Sequence, residues 1–87
     1  MIHVTEGINS VYLYSTKRDL IDIELKIQGK DIRERTEIVL PLTVLFFGNS
    51  FYKLETTIPE LNSVEFSYQI TSGGDVIDQG LLRYEYS

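Results

Sequence analysis

The segment LIDIELKI, residues 20–27, sets Ile21, Ile23, Leu25 and Ile27 on one side and Asp22, Glu24 and Lys26 on the other. Successive side chains on a strand point to opposite faces, so this alternation predicts a strand with one buried and one wetted face. VEFSYQI, residues 64–70, repeats the pattern, with Val64, Phe66, Tyr68 and Ile70 inward. No stretch reads as a credible helix, and composition agrees. Ala, the best helix former, is absent, while Ile, Val and Thr supply twenty-three of 87 residues. The chain is expected to be all-β.

Glycines and small polar clusters cut the rest into short segments. SVYLYS (10–15) reads as an early strand and TKRD (16–19) as a polar turn. QGKDIRERTE (28–37) mixes acids and bases and reads as a solvated connection. PELNS (59–63) is a turn, TSGGD (71–75) a hairpin loop, and VIDQGLLRYEY (76–86) the last strand. Gly80 inside that strand suggests a bulge. Leu81 and Leu82 compete there for the core, which leaves its register open. The count is six or seven strands. The expected architecture is an antiparallel two-sheet sandwich of immunoglobulin or fibronectin-III type, one domain over residues 1–87. With no cysteine to form a disulfide, a chain of this size depends on apolar packing for its stability.

The register of IVLPLTVLFF-GNS-FYKLETTI (38–58) is argued from parity, because a one-residue slip moves every side chain to the other face. A three-residue loop, Gly48-Asn49-Ser50, pairs Phe46 with Tyr52, Val44 with Leu54, Leu42 with Thr56 and Leu40 with Ile58, giving one nearly apolar face. The other face then pairs Phe47 with Phe51, Leu45 with Lys53, Thr43 with Glu55 and Pro41 with Thr57. A two-residue Gly-Asn loop scrambles both faces. On the three-residue reading Phe46 and Tyr52 belong to the core. Leu45, Phe47 and Phe51 then form an apolar patch at the outer hairpin tip, a candidate contact surface.

Catalytic chemistry finds few residues to use. His3 is the only histidine and lies at the chain start, which disfavours a triad and a zinc site alike. The carboxylates Asp22, Glu24, Asp75 and Asp78 read as surface solvation, without the spacing of a calcium loop. SGGD lacks the lysine and helix of a phosphate loop. Net charge is −5, carried mostly by residues 44–87, which works against nucleic acid and anionic lipid. The longest apolar run, Ile38 to Phe47, is far short of a membrane span, and no signal peptide is visible at the start. The expectation is no enzyme, no cofactor, no metal, no nucleic-acid or membrane partner, and synthesis in a cytoplasm.

Tyrosine is the other conspicuous feature. Tyr12 and Tyr14 share one face of an early strand, and Tyr84 and Tyr86 one face of the last. Tyrosine offers rigid apolar area with a hydroxyl, which suits interfaces. Tyr84 and Tyr86 therefore join Leu45, Phe47 and Phe51 as candidate interface residues.

The ending FSYQITSGGDVIDQGLLRYEYS (66–87) is an aromatic-x-Tyr-x-Ile strand, a Gly hairpin and then GLLRY. It resembles small β-sandwich structural proteins of tailed bacteriophages. The likeness covers roughly residues 52–87 and rests on Tyr68, Ile70, Gly74, Gly80, Leu81, Leu82 and Arg83. It implies a non-enzymatic virion component, such as an auxiliary capsid (decoration) protein. Its partners would be a capsid protein, other structural proteins or copies of itself. A carbohydrate- or cell-surface-binding module is the alternative, favoured by the Tyr and Phe residues and weakened by the absence of Trp.

Overall fold

The computed structural model describes residues 1–15, 20–29, 37–48 and 50–86. Among them are eight strands and no helix: β1 (Ile2–Val4), β2 (Gly7–Tyr14), β3 (Ile23–Gly29), β4 (Glu37–Pro41), β5 (Thr43–Gly48), β6 (Phe51–Ile58), β7 (Glu65–Ser72) and β8 (Asp75–Tyr84). They form two sheets, β1-β8-β7-β3-β4 and β2-β6-β5. One core is built from both. Leu25, Ile27, Ile70 and Leu82 of the larger sheet and Val11, Leu13, Leu54 and Ile58 of the smaller are all buried in it. The alternation in β3 and β7 produces this directly, since Ile23, Leu25, Ile27, Phe66, Tyr68 and Ile70 all face inward and are buried. Most of QGKDIRERTE lies outside the described residues, as does TKRD.

The pairing is not wholly antiparallel. β1 runs parallel to β8, with Ile2 opposite Leu82 and Val4 opposite Tyr84. Val4 is buried, and its carbonyl accepts the Glu85 N–H at 2.8 Å. The chain then crosses to the other sheet within two residues, and Asn9 fixes that crossing. Its side-chain amide donates to the carbonyls of Thr5 and Gly7 at 2.7 and 2.8 Å, while its Oδ1 accepts the Thr5 N–H at 3.1 Å.

The long arm expected over residues 38–47 is two strands in two sheets. Ile38 to Pro41 pair with β3, so Leu40 faces Leu25 and not Ile58. Pro41 has no N–H for a ladder and closes β4. Leu42 turns into the core, its N–H donating to the Ile23 carbonyl at 2.9 Å, and β5 begins beside β6. Thr43 opposite Glu55 and Val44 opposite Leu54 follow the expected register. Val44 nonetheless sits on an edge strand and is 44% exposed.

Two further inward expectations change at strand ends. Asp22 takes a left-handed backbone, φ 47°, which breaks the alternation and leaves Ile21 exposed. Val64 precedes β7 and is likewise exposed. The last hairpin turns through Gly73 and Gly74, at φ 57° and 92°, as a tight two-residue turn with positive φ at both positions requires. Its bulge falls at Ile77, not Gly80, since Ile70 faces Asp78 and Thr71 faces Val76. Gly80 is needed for another reason. A Cβ there would lie 3.2 Å from the Tyr68 ring, whose edge occupies that space. The same bulge decides between the competing leucines, burying Leu82 and exposing Leu81.

Over Gly80 the Tyr68 hydroxyl donates to Asp78 Oδ2 at 3.2 Å. Burial, followed by the Asp78 charge and that hydrogen bond, pushes the phenol up to about 12 from 10.0. Below pH 10 the phenol is protonated in folded and unfolded chains alike, and its contribution is complete. Between pH 10 and about 12 the unfolded chain ionises first, so stability falls as pH rises through that window. Urea unfolding across that window should show this loss in the native protein and a smaller one in Tyr68→Phe. Parallel curves for the two would contradict it. Asn9→Ala should cost about 1–2 kcal/mol at neutral pH by the same measurement, by freeing the β1–β2 crossing.

Candidate interaction face

The outer side of β2-β6-β5 is set by pairing. Tyr14 lies opposite Phe51, Tyr12 opposite Lys53, Ser10 opposite Glu55 and Ile8 opposite Thr57. The intervening residues Val11, Leu13, Tyr52, Leu54 and Thr56 face the core and are buried. On the far side of β6 the ladder shifts by one residue at Leu45, so Phe46 pairs with Lys53, Phe47 with Tyr52 and Gly48 with Phe51. Only two positions, 49 and 50, remain between the strands, and Ser50 has φ 67°. The three-residue loop is therefore corrected. A bulge absorbs one residue of β5, whereas parity fixes the register only in an unbroken ladder.

The consequence is an exchange of faces for the two adjacent phenylalanines. Phe47 does not meet Phe51. It turns toward the core side and stacks on Tyr52 with ring centroids 4.2 Å apart, remaining 37% exposed at the sheet edge. Phe46 turns outward instead and meets Phe51 at 5.5 Å. Gly48 makes room for it, because a Cβ there would lie 2.9 Å from the Phe46 ring. Tyr12 and Tyr14 approach Phe51 from the opposite strand at 6.4 and 6.3 Å. All four rings are tilted, within the range where aromatic pairs contribute about 0.5–1.5 kcal/mol beyond burial.

Phe51 is thus the half-buried centre of an aromatic cluster whose outer members face water. Tyr14 is 82% exposed, Tyr12 54% and Phe46 52%. Leu45, at the bulge, is exposed beside them. Lys53 and Glu55 follow Phe51 along β6 and give the face one charge of each sign.

Of the five residues expected at an interface, Leu45 and Phe51 lie on or beside this face, and Phe47 lies behind its edge. Tyr84 and Tyr86 belong elsewhere. Tyr84 is buried in the core beside Val4, so it is not on a surface. Tyr86 follows β8 in the larger sheet, packs edge-on to Tyr84 at 4.8 Å, and donates its hydroxyl to the Leu61 carbonyl at 2.7 Å. Sequence reasoning assigned Phe46 to the core and left Tyr12 and Tyr14 unconnected to Phe51. Their shared parity was visible, but their neighbour on β6 was not.

The larger sheet has a different outer surface, a shallow groove of about 420 Å³ lined by Lys26, Gln28, Glu37, Ser67, Gln69 and Gln79 with Leu81. His3 is held at the β1 edge, its Nδ1 2.8 Å from Glu85 Oε1. Among the described residues no three His, Cys, Asp or Glu side chains converge as metal ligands.

A scan against protein-family models finds no match to this chain, and a search of curated proteins finds no significant relative.

The cluster's geometry depends on the bare α-carbon of Gly48. Gly48→Ala should keep stability within about 1 kcal/mol, since the Phe46 ring can swing away. It should abolish the nuclear Overhauser contacts between the Phe46 and Phe51 rings. Contacts that persist would show that the ring does not need the glycine.

Proposed function

We propose that this chain is a non-enzymatic assembly domain that docks on another protein through the outer face of β2-β6-β5. The observation that carries this reading is the aromatic cluster around Phe51, with three of its four rings more than half or nearly fully open to solvent. Interface cores are enriched in Tyr and Phe, and such anchors supply most of the binding energy when a partner desolvates them. In isolation the same rings are a solubility cost, so a fold that keeps them outward is best explained by a partner that covers them.

The proposed setting is a tailed-phage particle, with a capsid protein or another virion component as partner. The protein would then be made in the host cytoplasm and located in the virion. The likeness of residues 52–87 to small phage structural proteins supports this setting. An immunoglobulin-type fold is proposed with it, supported by the strand order. In that reading β2, β6 and β5 form one sheet and β8, β7, β3 and β4 the other, with the first strand crossing to lie parallel to the last.

A second reading, carbohydrate binding, is favoured by the glutamine-lined groove on the opposite sheet, where amides, Lys26 and Glu37 offer donors and acceptors to hydroxyl groups. The two readings use opposite faces and therefore separate cleanly. Tyr14→Asp combined with Phe46→Asp should retain the circular dichroism spectrum and a cooperative melt, at a temperature lowered by the loss of two ring contacts on Phe51. It should weaken co-sedimentation with phage particles at least about 100-fold. Undiminished co-sedimentation would move the contact off this face. Millimolar binding on a glycan array, lost on Gln69→Ala and kept in the aromatic double variant, would establish the carbohydrate reading in its place.

A further inference from the structure

Among the described residues four strands lie at sheet edges: β1, β4, β2 and β5. An edge strand offers unpaired main-chain groups to other chains, and proteins blunt edges with short strands, charges, prolines or bulges. Three of these edges are blunted. β1 has three residues, β4 begins with Glu37 and ends in Pro41, and β5 carries the bulge at Leu45. β2 has none of these features. Its eight residues, GINSVYLY, hold no charge and no proline, and their ladder to β6 has no register shift.

The free groups on β2 can be identified. Ser15, just past the strand, donates its N–H to the Ser50 carbonyl at 2.9 Å, one step beyond the Tyr14–Phe51 pair. In an antiparallel ladder, hydrogen-bonded and non-hydrogen-bonded pairs alternate. Gly7, Asn9, Val11 and Leu13 therefore direct their main-chain groups to β6. Ile8, Ser10, Tyr12 and Tyr14 direct theirs away from the sheet, and none of these groups has a partner among the described residues.

We propose that this edge pairs with the β2 edge of a second copy, antiparallel about a two-fold axis through Val11, to make one continuous six-stranded sheet. Three observations select a second copy. In this register Ser10 faces the partner copy's Tyr12, and Ile8 faces its Tyr14, so every free N–H and C=O from Ile8 to Tyr14 finds a complement. Shifting by two residues in either direction strands some of them. The pairing also preserves parity, setting the Tyr14 ring beside a β-branched Ile8 on the outer face, a favourable cross-strand combination. Finally, β2 holds no charged residue, so the seam itself adds no like-charge contact between two chains that each carry a net −5. The inference holds whichever partner takes the aromatic face.

Sedimentation velocity from about 10 μM to about 1 mM tests it together with amide hydrogen exchange on the native chain. The expected result is a concentration-dependent dimer in which the amides of Ile8, Ser10, Tyr12 and Tyr14 slow at least about tenfold on association, while those of Asn9, Val11 and Leu13 are protected throughout. Ser10→Pro removes an outward N–H without touching the β6 ladder, and should leave a folded monomer. A native chain that stays monomeric to 1 mM overturns the proposal. So does a dimer whose four outward amides exchange at the dilute rate, since association would then run through another surface.

Discussion

The extra residue at Leu45 governs everything beyond it in β5, because a strand that gains one residue turns its remaining side chains to the opposite faces. Before the bulge, Val44 opposes Leu54 on the inner side. After it, Phe46 points to water and Phe47 toward the core margin, where Tyr52 receives it. Two adjacent phenylalanines must always split between faces. What the bulge determines is which one joins Phe51, and the bare α-carbon of Gly48 then lets that ring lie down. The aromatic cluster is thus a property of ladder irregularity as much as of composition.

A second constraint acts at the chain start. Val4 fills a core position beside Tyr84 while β1 runs parallel to β8, so the first strand is committed to the larger sheet. It cannot also cover β2. Asn9 makes that commitment firm by hydrogen-bonding both ends of the short crossing. Among the described residues, the open β2 edge follows from where Val4 is buried.

The fold class and most of the core were legible in residues of period two. Ile23, Leu25, Ile27, Phe66, Tyr68 and Ile70 announce their faces locally, because each strand's alternation is independent of its partner. The failures cluster where local pattern says nothing about pairing. The apolar run from Ile38 to Phe47 reads as one strand, and only the core's three-dimensional shape decides that it changes sheets at Leu42. Tyr84 obeys the alternation perfectly, yet alternation alone cannot say which of a strand's two faces is inward. Phe51 was recognised as outward, but its neighbours Tyr12 and Tyr14 lie nearly forty residues away in sequence. Their meeting is a matter of sheet order. Gly80 is ambiguous in sequence, since a missing side chain serves a bulge and an overlying ring equally well.

The face and the edge also bear on each other through size. Strands of eight, eight and six residues, at roughly 4.8 Å between strands and 3.3 Å per residue, give a footprint of about 350 Å². A standard stable interface buries about 800 Å² per partner, so the face of one copy alone suits only a weak contact. Joining two copies at β2 roughly doubles the footprint without altering either core. It would also place Tyr12 and Tyr14 of both copies at the centre of the enlarged face, where anchoring residues contribute most. The aromatic rings nearest the free edge, poorly placed for a single domain, are then the rings best placed in a pair.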